Sequence, residues 1–345
     1  MLMYKYISLH NIAQIHLSQS LPYDGILFII SRCFNTRLSE EKMFNELFSK
    51  AAMFASYLYN KSLPESAYPK ALKRWFKKIT GYELNLEDPK TFDEKIQWLK
   101  LYDKDPRRTT LSDKYAVREW VKKTIGEKYL IPLLGAWDSF DEIDFDKLPS
   151  RFVLKANHAS GWNLIVTDKA KLDIKSARRK FNRWMNTDFA FIEGFELQYH
   201  NIKRKIVAEK FIENGGNNLF DYKFYCFNGK PEFIEYIGDR LTGQPRVMFL
   251  STDWTPEIFT DGIYPEFDEV PPKPECLEEL VKLAEKLCKG FPFVRVDLYV
   301  LDDGSIKFGE MTFTLGSGKH STWNPPEYAT IIGDMIPLPL ENYYK

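Results

Sequence analysis

The chain has 345 residues, of which 48 are basic and 48 acidic, so its formal net charge is zero. This length predicts one large or two ordinary domains with ample material for a hydrophobic core. A balanced charge offers no global field to a polyanion, and we therefore expect no nucleic-acid partner. The four cysteines show neither a CxxC pair nor a metal-type spacing, which favours a reduced, cytoplasmic protein.

Residues 1–70 are predicted to form a helical N-terminal extension. Ser39, followed by two glutamates, is typical of a helix start, and this helix should end before Pro64. Its apolar residues recur at helical spacing and are Met43, Leu47, Phe48, Ala51, Phe54, Ala55 and Leu58. The stripe has two interpretations: core packing against a neighbouring helix, or peripheral association with a membrane through residues 39–60. No apolar run approaches the roughly 18 residues of a membrane-spanning helix.

Residues 71–150 are predicted to be mainly helical. Thr91 and Glu94 match a capping box at the start of one helix, and Ser112 is predicted to open a second helix. Leu130 to Leu134 is a short strand candidate, and Pro132 within it predicts an edge position. An acidic segment then leads to Pro149, a candidate domain boundary.

From residue 151 onward the pattern is typical of antiparallel strands. Phe152–Ala156 and Leu164–Thr167 predict a strand pair whose connecting loop contains Ser160 and Gly161. A helix rich in lysine and arginine follows, and its charge indicates either a solvated face or contact with an anionic polymer. Ile206–Phe211 predicts a further buried strand.

Another hairpin and a helix come next along the chain. Asn228-Gly229 is a primed-turn signal between strands predicted at 221–227 and 232–237. Glu275–Lys289 is an amphipathic helix that Gly290 should end. Helices alternating with hairpins predict an α+β fold with antiparallel sheets rather than a doubly wound α/β fold. The sequence contains no G-x-G-x-x-G and no P-loop motif, which excludes two common nucleotide-binding motifs.

The last hairpin, residues 293–313, brings two carboxylates together. Its strands alternate with period two on either side of Asp-Asp-Gly-Ser, a strong turn signal. A two-residue turn and a four-residue loop give the same register, with Asp297 opposite Glu310 and Arg295 opposite Thr312. Facing carboxylates repel unless a cation lies between them, and Mg²⁺ suits such a pair. The alternative is a solvent-exposed hairpin in which Arg295 neutralises Asp297.

A second candidate group surrounds Lys155, which lies near the end of an apolar strand. A lysine beside a Gly/Ser loop can hold phosphate, with its ammonium as a point charge and the loop N–H groups as donors. It can equally be an edge lysine beside an ordinary hairpin loop. Lys223 shares a strand face with Asp221, and a surface ion pair is the simpler interpretation of these two residues.

Taken in order, six phrases of the sequence resemble the ATP-grasp superfamily, and more narrowly its TupA-like branch, named for teichuronopeptide biosynthesis. They are FDEKIQWLKLYDKDP, LSDKYAVREWV, FVLKANHASGWN, DYKFYCFNGKP, FVRVDLYVLDDGSIKFGEMTF and SGKH. They fall within residues 70–330. The resemblance implies two α+β subdomains whose antiparallel sheets grip ATP. It implies a lid subdomain at 151–208 and a C-terminal subdomain with a metal site at 209–345, behind the mainly helical part at 71–150.

The resemblance also implies a role for each matching residue at the nucleotide. Lys155 would bind phosphate and take part in catalysis, with Ser160 and Gly161 in a mobile loop over the phosphates. The adenine pocket and the adjoining ribose site would be formed by one continuous segment, which comprises Glu209, Lys210, Phe211, Ile212 and Glu213.

At the reacting groups, the resemblance implies that Lys223 and Arg295 face the transferred phosphate. Asp297 and Glu310 would hold Mg²⁺. Many members of the superfamily have Asn two residues after the metal glutamate, whereas this chain has Thr312, whose hydroxyl can still offer an oxygen. The acceptor carboxylate would meet a short segment that comprises Ser317, Gly318 and Lys319.

The implied activity is that of an ATP- and Mg²⁺-dependent ligase that joins a carboxylate to an amine through an acyl phosphate. The name of the branch suggests an amino acid and a uronic-acid-containing surface or capsular polysaccharide as partners. Three alternatives stay open: an ATP-grasp kinase, a sugar transferase of polysaccharide biosynthesis, and a non-catalytic nucleotide-binding module. The expected location is the cytoplasm, with the inner face of the cell membrane as the place where residues 39–60 would bind.

Overall fold

The structure, a computed structural model, describes residues 39–214, 219–239, 243–319 and 322–339, with side chains from residue 51 onward. The chain divides into two compact units, residues 1–56 and 57–345. Of the first unit the structure describes one feature, the N-terminal part of a helix that begins at Ser39. Within the described ranges no helix is both long and apolar enough to cross a membrane.

Helices and strands alternate along the described ranges. The helices are α1 (Ser39–Ser62), α2 (Tyr68–Thr80), α3 (Phe92–Tyr102), α4 (Arg107–Ser112), α5 (Val117–Thr124), α6 (Ile174–Met185), α7 (Leu277–Cys288) and α8 (Tyr328–Asp334). The strands are β1 (Leu133–Trp137), β2 (Phe152–Ala156), β3 (Asn163–Val166), β4 (Ile206–Lys210), β5 (Phe220–Phe227), β6 (Lys230–Gly238), β7 (Arg246–Ser251), β8 (Phe293–Val300) and β9 (Ile306–Thr312).

The strands form two sheets, and every pairing in them is antiparallel. The first sheet has the order β1-β4-β2-β3, and the second has the order β7-β6-β5-β8-β9. The predicted α+β class with antiparallel sheets is therefore confirmed. The first sheet contains strands from outside the predicted lid subdomain at 151–208. Strand β1 precedes residue 151, and strand β4 extends past residue 208. Those limits stay predictions.

Local signals account for most of the elements. The predicted capping box at α3 is present: the Thr91 hydroxyl accepts from the Glu94 N–H at 3.3 Å, and the Glu94 carboxylate accepts from the Thr91 N–H at 3.0 Å. The turn at Asn228-Gly229 has φ values of 48° and 75°, as a primed turn requires. Strand β1 is an edge strand as predicted, but it begins three residues later than the predicted strand, after Pro132.

The prediction that Ser112 opens a helix is wrong. Ser112 is the last residue of α4, and the next helix begins at Val117. The reason is Asp113, whose carboxylate accepts hydrogen bonds from the Tyr115 N–H and from the Asn157 side chain, both at 2.8 Å. A short acidic side chain that binds nearby backbone N–H groups competes with a continuous helix. Strand β7 was not predicted.

Each sheet is covered by a helix on one face. Helix α6 packs on the first sheet through Phe181 and Trp184. Helix α7 packs on the second sheet, where Val296 and Leu298 of β8 are fully buried. Because side chains alternate along a strand, Arg295 and Asp297 of β8 must lie on the opposite face of this sheet.

The hairpin β8–β9 contains an extra residue that the sequence analysis missed. Val300 pairs with Ile306 and Leu298 pairs with Phe308, one residue off the predicted register. Gly309 is then bulged out, and Asp297 pairs with Glu310 and Arg295 with Thr312, as predicted. A Cβ on Gly309 would lie 2.9 Å from the Tyr299 ring and 3.0 Å from the Asp297 carbonyl oxygen.

We therefore expect Gly309→Ala to destabilise the fold by about 1–3 kcal/mol, the usual cost of overpacking, and to displace Asp297. Urea unfolding measures the first effect, and calorimetric titration with ATP measures the second. Gly304→Ala is the control, because Gly304 has φ 75° with open space around its Cβ position. It should cost backbone strain of about 1–2 kcal/mol without changing nucleotide affinity. Equal ATP affinities in the two variants would contradict the proposed link between the bulge and Asp297.

Candidate active site

A cleft of ≈ 470 Å³ lies between the two sheets and collects polar residues from both. The first sheet and its loop contribute Lys155, Ser160, Gly161 and Asn163; the second sheet contributes Lys223, Tyr225, Glu235, Arg295, Asp297, Tyr299, Gly309 and Glu310. Lys114, from the irregular segment between α4 and α5, also lines it. Seven of the predicted site residues are thus brought together: Lys155, Ser160, Gly161, Lys223, Arg295, Asp297 and Glu310.

The floor of the cleft is a row of charged side chains that runs across four strands. Cross-strand pairing places Glu235 of β6 beside Lys223 of β5, Lys223 beside Asp297 of β8, and Asp297 beside Glu310 of β9. Directly paired residues project from the same face of a sheet. Negative and positive groups therefore alternate from Glu235 to Asp297, and two carboxylates end the row.

Asp297 is held by two cations. Its Oδ1 accepts from Arg295 Nε at 2.7 Å, and its Oδ2 accepts from Arg295 Nη2 at 2.7 Å and from Lys223 Nζ at 2.8 Å. The carboxylate is only 2% exposed. Burial alone would raise its pKa, but Arg295 and Lys223 outweigh burial and lower the pKa to about 2. Asp297 is consequently ionised throughout the physiological range.

Glu310 is the more accessible carboxylate of the pair. Its side chain is 38% exposed, and its Oε1 lies 3.5 Å from Arg295 Nη2 and accepts from the Thr312 hydroxyl at 3.2 Å. Thr312 also accepts from Arg295 Nη2, at 3.3 Å. The residue that departs from the common pattern of the superfamily therefore positions Glu310 and Arg295 by hydrogen bonds.

The donor set fits Mg²⁺ bound together with a nucleotide. No three His, Cys, Asp or Glu side chains in the described ranges come together as a metal site on their own. Mg²⁺ requires only one or two protein carboxylates when phosphate oxygens and water complete its shell. Asp297 and Glu310 face each other across β8 and β9 and can supply those two.

Lys155, on the opposite wall, is paired with a buried carboxylate. Its Nζ lies 2.5 Å from Glu209 Oε2, and Arg118 Nη1 lies 3.1 Å from Glu209 Oε1. Lys114 donates to the carbonyl of Ala159 at 2.5 Å, and burial lowers the pKa of Lys114. Two cations thus pair with Glu209, and Lys114 adds a third positive charge to the cleft, which suits phosphate.

A scan against family models matches residues 94–337 to the TupA-like ATP-grasp family. The chain belongs to this family. The match covers more than two thirds of the sequence, and the predicted family is confirmed. Membership in this family supports ATP as the nucleotide that the protein binds. No curated protein matches the chain.

Solved structures with remote similarity include three proteins. One is a D-alanine–D-alanine ligase from Bacillus anthracis, with 18% identity over 66% of this chain and 66% of that chain, at a TM-score of 0.38. Another is an L-amino acid ligase from Bacillus licheniformis, with 16% identity over 76% and 57%, at a TM-score of 0.40. The third is an N5-carboxyaminoimidazole synthetase from Staphylococcus aureus, with 13% identity over 59% and 44%, at a TM-score of 0.34. The chain spans about two thirds of the length of these structures, or less.

Of the predicted adenine segment, Glu209 contacts Lys155, while the following residues lie elsewhere. Phe211 packs under the Arg151 guanidinium at 4.2 Å from its ring centre. Glu213 accepts from Arg151 Nη2 at 2.8 Å. Lys210, Phe211, Ile212 and Glu213 are not among the residues that line the cleft as described. Their assignment to adenine and ribose in this ATP-grasp protein stays a prediction.

The predicted acceptor segment Ser317–Lys319 is engaged in holding its own loop. Ser317 has φ 58°, donates through its hydroxyl to the Glu193 carbonyl at 2.6 Å, and is buried. Lys100 of α3 donates to the Ser317 carbonyl at 3.0 Å and to its hydroxyl at 2.9 Å. Lys319 pairs with the Glu193 carboxylate. Ser317, Gly318 and Lys319 are not among the residues that line the cleft, whereas the nearby Leu315 does line it.

Sequence reasoning missed Lys114, Glu235 and Asp261, which also line the cleft. Lys114 lies in an irregular segment that gives no periodic signal. Glu235 could have been found only by assuming a bulge in the β5–β6 hairpin, because Cys226 pairs with Pro231 but Tyr225 pairs with Phe233.

Lys155→Ala is expected to weaken ATP binding by about 10- to 100-fold, since a hydrogen bond to a charged group contributes about 1.5–3 kcal/mol. Glu209 keeps Arg118 as its partner in this variant, so the fold should survive. Calorimetric titration with a non-hydrolysable ATP analogue measures the affinity. Lys171→Ala, at an exposed lysine of the same half of the molecule, is the control. An unchanged affinity in Lys155→Ala would remove Lys155 from the nucleotide site.

Proposed function

We propose that the protein is an ATP-dependent carboxylate–amine ligase that forms an amide bond through an acyl phosphate. The observation that carries this proposal is the cleft itself, in which Lys155 and Lys114 of one wall face Arg295, Lys223 and the carboxylate pair of the other. The proposed reaction needs no nucleophilic side chain of the protein, because the substrate carboxylate and the amine are the nucleophiles. Catalysis would therefore consist of positioning reactants and neutralising phosphate charge.

In the first step, a substrate carboxylate oxygen attacks the γ-phosphorus of ATP, the bond to the β-phosphate oxygen breaks, and ADP leaves. Lys155 would hold the phosphates, and the loop with Ser160 and Gly161 would cover them. Arg295 would face the transferred phosphoryl group, since its guanidinium lies between Asp297 and Thr312. Mg²⁺, bound by Asp297 and Glu310, would neutralise the negative charge of the phosphates.

In the second step, an uncharged amine attacks the carbonyl carbon of the acyl phosphate. The C–N bond forms, the C–O bond to phosphate breaks, and inorganic phosphate leaves with the proton that the amine nitrogen loses. Arg295 remains in place to neutralise the departing phosphate. The side chains of Ser317 and Lys319 already bind Glu193. Arg295, rather than the segment 317–319, is therefore the better candidate for the first contact with the acceptor carboxylate.

We further propose that one substrate is a uronic-acid-containing surface or capsular polysaccharide, or its precursor, and that the other is an amino acid. This choice of partners rests on the resemblance to the TupA-like branch, whose name refers to teichuronopeptide biosynthesis. The same proposal places the protein in the cytoplasm, at the inner face of the cell membrane. Met53, Phe54, Leu58 and Tyr59 of α1 are exposed, which favours membrane contact through residues 39–60, and co-sedimentation with lipid vesicles tests it.

Glu310→Gln is the sharpest test of the metal pair. Glu310 is half-exposed and holds few contacts, so the variant should fold normally and lose Mg²⁺-dependent ATP turnover by about 100-fold or more. Asp297→Asn is a weaker test, because it leaves Arg295 and Lys223 buried without their counterion, at about 3–5 kcal/mol. Glu232→Gln, an exposed glutamate of the same sheet, is the control. Full turnover in Glu310→Gln would refute the metal assignment.

The activity itself is tested by ADP release from a panel of uronic acids crossed with amino acids. In the presence of hydroxylamine, an acyl phosphate gives a hydroxamate that mass spectrometry detects. We expect a hydroxamate from at least one carboxylate, and an amide when the matching amine replaces hydroxylamine. A stable phosphorylated product without a hydroxamate would instead establish the kinase alternative. ATP binding without turnover of any pair would favour the non-catalytic alternative.

A further inference from the structure

Two buried carboxylates of the cleft lack an ion-pair partner. Glu235 of β6 is 5% exposed and Asp261, in the segment after β7, is 4% exposed. Glu235 Oε2 accepts from the Tyr225 hydroxyl at 3.1 Å, and Asp261 Oδ1 accepts from the Ile263 N–H at 3.1 Å. Among the described residues no lysine, arginine or histidine nitrogen forms a salt bridge with either carboxylate.

This situation differs from that of Asp297 in the same cleft. Asp297 is equally buried, but Arg295 and Lys223 surround both of its oxygens. A buried carboxylate without a salt-bridge partner loses its hydration and recovers less of that cost than a paired one does. Burial accordingly raises the pKa values of Glu235 and Asp261, although the positive charge of Arg295 acts in the opposite direction on both.

The charges on the second-sheet side of the cleft also favour a positively charged ligand. Four carboxylates of this wall line the cleft, namely Glu235, Asp261, Asp297 and Glu310, against two cations, Lys223 and Arg295. Mg²⁺ would neutralise the carboxylates of Asp297 and Glu310. The negative charge of Glu235 and Asp261 has no salt-bridge partner among the described residues, and the open cleft beside these two side chains admits a positively charged ligand.

The position of these carboxylates suits the second reactant. Tyr225, which donates to Glu235, pairs across the sheet with Arg295, and Glu235 itself pairs with Lys223. Glu235 therefore lies next to the groups that would face the acyl phosphate, and Asp261 lines the same cleft within electrostatic reach of Arg295 and Glu235. A group bound there would approach the reacting carbonyl from the side opposite to Glu310 along the charged row.

We propose that Glu235 and Asp261 form the subsite for the amine substrate, which they bind as its ammonium ion, and that Glu235 accepts the proton lost before attack. The inference rests on the proposed ligase activity. An ammonium nitrogen has no lone pair for attack. Transfer of one proton from nitrogen to Glu235 Oε1 supplies the lone pair, which then forms the C–N bond as the C–O bond to phosphate breaks. The second proton that the nitrogen loses leaves with the phosphate. A carboxylate with a raised pKa is a competent acceptor for this step.

The test compares hydroxylamine with the amine found in the substrate panel. Hydroxylamine is largely uncharged at neutral pH and needs no proton acceptor, so Glu235→Gln should form hydroxamate within about threefold of the wild-type rate. Amide formation should fall by at least about 100-fold, the lower limit for loss of a general base. The remaining activity should rise with pH as the free amine accumulates. Asp261→Asn should raise KM for the amine.

Glu196→Gln is the matched control, because Glu196 is a buried glutamate outside the cleft whose partner is the Thr314 hydroxyl. It should leave both products unchanged. Absence of hydroxamate from the wild-type protein would refute the ligase proposal itself. Hydroxamate with equal amide formation in Glu235→Gln and the wild type would overturn the amine subsite alone.

A measurement without substrates separates this role from a structural one. The groups that face Glu235 are Arg295, Lys223, Tyr225, Asp261 and Asp297. Because the folded pKa of Glu235 is raised, the wild type loses stability as pH rises through that pKa, whereas glutamine does not titrate. Above the ordinary glutamate pKa of about 4.3, Glu235→Gln should gain thermal stability relative to the wild type. A loss of stability at every pH would indicate that Glu235 merely supports the fold.

Discussion

The bidentate ion pair between Arg295 and Asp297, with Lys223 as a third member, is the interaction on which the rest of the site depends. Removing one member of a buried ion cluster leaves an uncompensated charge, so the three residues must be kept together. Their pairing orients Arg295 toward Thr312 and Glu310, and it fixes Lys223 between Asp297 and Glu235. Each further group of the floor, including the proposed metal pair and the proposed amine subsite, is placed relative to this cluster. Helix α7, packed on the opposite face, gives the cluster a rigid support.

Much of this floor could be predicted from the sequence, because its strands are regular and their turns are strong. The pairs Asp297–Glu310 and Arg295–Thr312 were predicted correctly, although the register near the turn was not. The β5–β6 hairpin shows the limit of such reasoning. A two-residue turn at Asn228-Gly229 without a bulge would place Glu235 opposite Tyr222, on the face that packs against α7. One bulged residue moves Glu235 to the cleft, and alternation of polar and apolar residues carries no clear signal of that single insertion.

The parts that sequence reasoning did not predict depend on irregular backbone. Lys114 reaches the loop above the cleft because Asp113 interrupts the helix at that point. Asp261 comes from a segment without regular structure that follows the unpredicted strand β7. The Ser317 segment adopts a left-handed turn, with φ values of 51°, 58° and 63° at residues 316–318. In such a turn the directions of the side chains follow neither helical nor strand periodicity. The family pattern alone therefore could not show that Lys100 and Glu193 bind the residues of this segment.

The attachment of the segment after β4 has a mechanical consequence. Arg151, at the start of the first sheet, holds Glu213 and covers Phe211. Asn214, the next residue, donates to the Val300 carbonyl at 3.0 Å and accepts from the Asp302 N–H at 3.1 Å, so it is fastened to the hairpin that carries Asp297. Two consecutive residues thus belong to different halves of the grip. The chain therefore passes from one half of the grip to the other between Glu213 and Asn214, and the contacts of Arg151 and Asn214 fix the φ and ψ angles at this crossing.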